Sequence, residues 1–215
     1  MLPLKPFNKT LSIVLIVILF IGCKNGKNKT LPIYNPADFN PVLVDETLQS
    51  KSSNHTVSDF TLINQNGDTI TQEVYKDKIY VTDFFFTRCP TICPVMTDNM
   101  KVLQDQFIND EDIMFLSMSV TPDIDSIPIL RQYADEKGVI DTKWNVTTGN
   151  KKHIYELARK GYFAVVEQGD GGLQDFIHTP NFILVDRQKQ IRGIYDGTDD
   201  NEINRLISDI KTLKQ

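Results

Sequence analysis

The chain has 215 residues, which suits one domain plus extra segments. It carries 23 Lys and Arg against 28 Asp and Glu, a formal net charge of −5. That balance argues against nucleic acid or an anionic surface as a partner.

Lys5 and Lys9 open the chain, and an uncharged apolar run follows from Leu11 to Ile21. The run is short for a membrane span and the right size for a signal-peptide core. It ends in Phe20-Ile21-Gly22-Cys23, which resembles a bacterial lipobox, although Phe20 replaces the usual Leu. In such a motif the cysteine is lipidated and becomes the mature N-terminus, so residues 1–22 read as a signal peptide. An uncleaved signal anchor is the alternative. Either way the remainder is expected to be exported and membrane-anchored in a bacterial cell envelope. Cleavage would remove two lysines and leave a net charge of about −7 by simple counting. The exported compartment permits disulfides. With Cys23 lipidated, Cys89 and Cys93 are the only possible intramolecular pair. Residues 23–56 are polar, with scattered Asn, Lys, Pro and Ser, and read as a flexible tether.

The domain is expected from residue 57 to 215. Phe60 to Ile70 reads as a hairpin turned by Asn66-Gly67. Lys78 to Thr87 is an apolar and aromatic run, a buried strand. Pro94 suits the first position of a helix, and Met96, Met100, Leu103 and Phe107 have helical spacing, so a helix is expected from Pro94 to Phe107. Ile113 to Val120 is a second buried strand. Ser126 to Lys137 is an amphipathic helix closed by Gly138. Trp144 to Thr148 is a short strand, Lys151 to Lys160 a helix closed by Gly161, and Tyr162 to Val166 another short strand. A Gly- and Asp-rich loop follows from Glu167 to Phe176. Asn181 to Asp186 and Gln190 to Tyr195 pair as a hairpin, and Glu202 to Leu213 is a terminal helix. Alternating strands and helices give an α/β fold with a central mixed sheet flanked by helices and an N-terminal hairpin.

Chemistry concentrates at Cys89 and Cys93, four residues apart where the first central strand runs into a helix. One helical turn makes residues i and i+4 neighbours. Two sulfurs that close can share a soft metal ion or cycle between dithiol and disulfide. The free amides of the helix start favour a thiolate, expected first at Cys93. Met96 and Met100 read as core filler. A dithiol opening a helix at the end of the first central strand is the thioredoxin-like arrangement. Of three histidines, His55 and His153 read as solvated surface residues. His178 precedes a buried strand and follows a loop, in Phe176-Ile-His-Thr-Pro-Asn-Phe-Ile-Leu-Val-Asp186. In thioredoxin-like folds that loop end packs against the dithiol. Two thiolates and one imidazole make a three-coordinate Cu(I) site.

These features together resemble the Sco family of copper-binding proteins over roughly residues 57–213. The marks are Phe86-Thr-Arg-Cys-Pro-Thr-Ile-Cys-Pro94, Ser117-Met-Ser-Val-Thr-Pro-Asp-Ile-Asp125, Trp144-Asn-Val-Thr-Thr-Gly149, and His178 before the last hairpin. The resemblance implies a thioredoxin fold, copper as Cu(I) or Cu(II) held by Cys89, Cys93 and His178, and a role toward the copper centre of cytochrome c oxidase. The copper-centre subunit is the expected partner, and a monomer the expected state. Thr91 stands between the cysteines where many members carry Asp, which removes an acidic group from the reach of Cu(II). Asp83 matches the buried acid that takes protons from the second cysteine in thioredoxins, and Thr179-Pro180 matches their cis-proline. Both favour redox work.

The leading reading is a membrane-anchored copper chaperone. The alternative is an exported thiol–disulfide reductase, with Cys89 as nucleophile, Cys93 as resolving thiol and Asp83 as base. Thr87 and Arg88 keep a peroxide-reducing enzyme as a third reading.

Overall fold

The structure, a computed structural model, describes residues 30–38, 55–165, 169, 171–172 and 174–215. Cys23, the signal-peptide run and most of the polar stretch lie outside the described residues.

The strands are β1 (Thr61–Asn64), β2 (Thr69–Thr71), β3 (Ile79–Phe85), β4 (Ile113–Ser119), β5 (Trp144–Thr148), β6 (Asn181–Val185) and β7 (Ile191–Asp196). They form one mixed sheet in the order β2-β1-β5-β4-β3-β6-β7. The centre, β3 with β4 and β4 with β5, is parallel, and the flanking pairs are antiparallel. The helices are α1 (Ile92–Gln106), α2 (Ile127–Lys137), α3 (Lys151–Glu156) and α4 (Asp200–Leu213).

Strand alternation sorts β3 onto two cores. Ile79, Val81 and Phe85 join the buried faces of α1, α2 and α4, while Tyr80 and Phe84 pack on the opposite side with α3. Asp83 falls on the α1 side by the same alternation. Met96, Met100 and Leu103 are fully buried in that core, as their spacing predicts. Burying each contributes roughly 1.5–3 kcal/mol. The β1–β2 turn forms as expected. Asn64 Oδ1 accepts from the amides of Asn66 and Asp68 at 3.0 and 2.9 Å, and Gly67 takes φ 85°, a value glycine adopts without strain. Gly138 likewise closes α2 in the left-handed conformation.

Three expectations change. Helix α1 starts at Ile92, so Pro94 is its third residue and Cys93 lies inside the first turn. Helix α3 ends at Glu156 and widens into a π turn, Leu157–Gly161, closed by the Tyr162 amide on Leu157 O at 2.8 Å. Gly161 therefore lies within that turn. Tyr162 to Val165 is not a strand. Phe163 has φ 50°, which breaks an extended run despite its aromatic and apolar composition.

Residues 31–38 lie on the edge of the sheet. Leu31 is buried, and Tyr34 pairs with Ile191, its amide donating to Ile191 O at 2.9 Å. Arg192 donates to the carbonyls of Pro32 and Leu31 at 2.9 and 2.7 Å. His55 is half-buried rather than solvated. Its Nε2 lies 2.7 Å from Gly161 O and its ring 4.4 Å from that of Phe163. Burial holds its pKa below the usual value. His153 is also half-buried, three residues after the α3 cap Asn150.

Candidate metal and dithiol site

Strand β3 ends at Phe85, and the chain turns tightly into α1, the Cys89 amide meeting Phe86 O at 3.3 Å. A buried carboxylate from the neighbouring parallel strand's exit loop pins this turn. Asp125 accepts from the hydroxyls of Thr87 (2.6 Å), Ser119 (2.5 Å) and Thr121 (3.0 Å), and from the Thr87 amide (3.3 Å). It is fully buried, and this donor set satisfies it. The sequence showed Asp125 only as part of a motif. Its signal was a polar cluster directly after a buried strand, a pattern with no periodicity to reveal its target. The same contacts commit the Thr87 hydroxyl to Asp125, while Arg88 is exposed, which leaves the peroxide reading without its threonine.

Both cysteines are free and buried, and exposure barely separates them at 6% for Cys89 and 3% for Cys93. Hydrogen bonding separates them. Thr91 caps α1 without a side-chain bond, so the first-turn amides need another acceptor. The Cys89 sulfur takes that place, with the Cys93 amide 3.4 Å away. Burial alone would raise the Cys89 thiol. The amides of Cys93 and Thr91, the Cys93 thiol and His178 overcome it and bring the pKa down to about 6. Cys93 moves the other way. Burial, its bond to Cys89, and the charges of Cys89 and Asp83 push it up to about 12, against a bond from the Phe86 backbone. The expectation that the helix start would favour thiolate at Cys93 is therefore corrected. The turn carries Cys89 back over the helix end, and the amides serve that sulfur instead.

Asp83 is buried below. Ser117 Oγ donates to its Oδ1 at 2.5 Å, and Trp144 Nε1 donates to Ser117 Oγ at 2.9 Å. Burial raises Asp83 to about 7, with the Ser117 bond opposing. The sequence alone does not mark Ser117 and Trp144 as Asp83's support, because the pairing crosses strands β3, β4 and β5.

His178 is exposed, and its Nε2 stands 3.9 Å from Cys89 Sγ. A metal at the usual thiolate and imidazole distances holds those two atoms roughly 3.6–3.8 Å apart at tetrahedral to trigonal angles. The soft thiolate, its lowered pKa and this spacing fit a copper ion. Among the described residues no closed group of three His, Cys, Asp or Glu side chains is arranged around one point. The pre-set pair is Cys89 and His178, with the Cys93 thiol hydrogen-bonded behind. Thr91 Oγ1 lies 3.7 Å from Cys89 Sγ. The Thr179–Pro180 bond is trans, as is every peptide bond among the described residues, so the expected match to a cis-proline does not hold.

The sequence profile of SCO1/SenC matches residues 48–215. This chain belongs to the SCO1/SenC family. It is 33% identical over 161 residues to the SCO1 protein homolog of Bacillus subtilis (strain 168), spanning 74% of this chain and 83% of that one. A SCO1/SenC family lipoprotein from Bacillus anthracis superposes with a TM-score of 0.66 at 30% identity, covering 75% of this chain and 96% of that one. BsSco, described as a member of the Sco family of cytochrome c oxidase assembly proteins with a disulfide switch, gives 0.64 at 32%, covering 75% and 95%. Arabidopsis thaliana ScoI, solved with copper bound, shares the fold at 21% identity, with a TM-score of 0.57 and coverage of 74% and 99%. The SCO1/SenC match thus takes in the whole seven-stranded sheet and its helices, and leaves out residues 30–38.

Proposed function

We propose that this chain is a membrane-anchored copper chaperone that binds copper through Cys89, Cys93 and His178 for the copper centre of cytochrome c oxidase. The observation that carries the reading is the Cys89–His178 pair, a thiolate and an imidazole 3.9 Å apart. Soft thiolates suit Cu(I), and imidazole suits copper in either oxidation state. A thiol already lowered to about 6 gives up little to become a ligand at neutral pH. The copper-bound Arabidopsis relative and the oxidase-assembly role described for BsSco support it. Anaerobic titration of the reduced intact chain with Cu(I), against a chromophoric chelator, is expected to give one copper per chain. A chain that leaves all the copper on the chelator contradicts the reading.

The Cys93–Asp83 arrangement supports a second activity, reduction of a partner's disulfide. The Cys89 thiolate attacks one partner sulfur, forms a mixed disulfide and releases the other as thiolate. Cys93 then gives its proton to the Asp83 carboxylate and attacks Cys89 Sγ. A Cys89–Cys93 disulfide closes, the second partner thiolate leaves, and two electrons have passed to the partner. The disulfide switch described for BsSco supports this pairing. Reducing a recipient's copper-binding thiols and loading them are compatible tasks for one dithiol.

The anchor in this reading is Cys23. The preceding apolar run and Gly22 support it, as does the lipoprotein relative from Bacillus anthracis. No helix among the described residues is long and apolar enough to cross a membrane. Mass spectrometry of the membrane-extracted protein is expected to find an N-terminus at a lipidated Cys23. An intact Met1, or a disulfide from Cys23 to either site cysteine, would overturn the anchor.

A further inference from the structure

The residue that faces Cys89 from across the site, His178, lies between two anchors, one on the π turn after α3 and one on the segment that follows it. The π turn after α3 carries Arg159, and such wide turns recur at functional sites. Arg159 meets Asp175, three residues before His178, through two parallel bonds. Its Nη1 donates to Oδ2 at 2.7 Å and its Nη2 to Oδ1 at 2.6 Å. Both side chains are largely buried, at 13% and 10% exposure. Asp175 Oδ2 also accepts from the Gly171 amide at 2.7 Å. The guanidinium lies 5.5 Å from the Tyr155 ring centroid. Tyr155 OH in turn donates to Val120 O at 3.1 Å, and the Val120 amide donates to Phe85 O at 2.9 Å, where the chain departs toward Cys89.

The second anchor follows His178. Ala164 O, just beyond the π turn, accepts from Thr179 Oγ1 at 3.1 Å and Asn181 Nδ2 at 2.9 Å. Only Phe176, Ile177 and His178 span the gap between the anchors. Ile177 is buried, whereas Phe176 is half exposed, with its ring stacked on His178 at 6.4 Å. The Ile177 backbone also bonds Tyr155, so the ion pair and this bond together hold the end of the span that leads to His178. A planar, bidentate guanidinium fixes direction as well as distance, which an ammonium does not.

We infer that Arg159 and Asp175 form a clasp that positions His178 for metal binding, with Arg159 a positioning residue outside the ligand set. The inference rests on the reading of His178 as a copper ligand. Partners that orient a metal-binding histidine change affinity by roughly 10- to 100-fold when lost.

The test measures Cu(I) affinity of the intact reduced chain by chelator competition. The variants are Arg159→Met and Asp175→Asn, each alone and combined with His178→Ala. Each clasp variant alone is expected to weaken Cu(I) binding about tenfold or more. Combined with His178→Ala, neither is expected to weaken it further, and the dithiol reduction potential is expected to stay unchanged. Asp175→Asn keeps the side-chain shape and carries the test if Arg159→Met does not fold. Unchanged affinity in the clasp variants, or an equal loss with and without His178, overturns the clasp. If His178→Ala alone keeps full affinity, the imidazole is not a ligand and the clasp falls with the proposed ligand set. If His178→Ala loses affinity and the clasp variants do not, the ligand set stands and only the clasp falls.

Discussion

Cys89→Ser is expected to cost the chain roughly a hundredfold or more in Cu(I) affinity, one ligand's share of the ~10–16 kcal/mol with which four-ligand thiolate and imidazole sites hold a metal. Three features converge on this sulfur. It accepts the amide of Cys93 at the uncapped start of α1, it faces His178 Nε2 at 3.9 Å, and its thiol is lowered to about 6. A serine hydroxyl fills the space but is a hard ligand that stays protonated at neutral pH, so the soft ion loses its thiolate. The fold should survive, because the turn is held by Asp125 and Thr87 rather than by the sulfur. Chelator competition measures the loss, and circular dichroism reports the fold. Wild-type affinity in a folded Cys89→Ser chain would remove Cys89 from the ligand set.

Asp83→Asn is expected to slow disulfide reduction roughly tenfold or more while copper binding changes little, in line with general-base contributions. Cys93 is held near 12, so at neutral pH it attacks only after losing its proton to a base. Asp83 is the buried carboxylate whose charge Cys93 senses, and at about 7 it is divided between acid and base near neutral pH. Copper displaces the thiol proton itself and has little need of that base. The reduction rate of the natural chain is therefore expected to rise with pH through about 7, and that inflection to vanish in the variant. Stability follows the opposite course. A folded pKa above the ordinary 3.8 means that the contribution of Asp83 is full at low pH and is lost as pH rises through about 7. Asp83→Asn, which keeps an acceptor for Ser117 Oγ, should be more stable than the natural chain above pH 7 by denaturant titration. If reduction and copper binding both survive unchanged, Asp83 is structural. If copper binding collapses in a folded variant, Asp83 supports the metal site instead.

The sheet was legible because its central strands are continuous apolar runs and its helices carry regular buried spacing. The spacing of Met96, Met100 and Leu103 alone marks α1. The dithiol was legible because Cys89 and Cys93 fall at a strand-to-helix junction, and His178 because its position matched a family pattern. Other features depend on the path of the backbone. Tyr162 to Val165 has strand composition, but a π turn and a left-handed Phe163 redirect it. Which thiol the helix amides serve depends on how tightly the turn after Phe86 folds back, so nearness to the helix start alone points to Cys93 and not to Cys89. Asp125 and Arg159 are ordinary charged residues in sequence. Their roles come from partners 38 and 16 positions away, brought close by neighbouring parallel strands and by a widened helix end.

X-ray absorption at the copper edge, on the intact chain loaded anaerobically with one equivalent of Cu(I), reads the copper ligands themselves. Two sulfur neighbours and one imidazole nitrogen are expected, with one sulfur lost in Cys89→Ser and the imidazole signal lost in His178→Ala. A copper shell without sulfur in the natural chain would contradict the proposed ligand set.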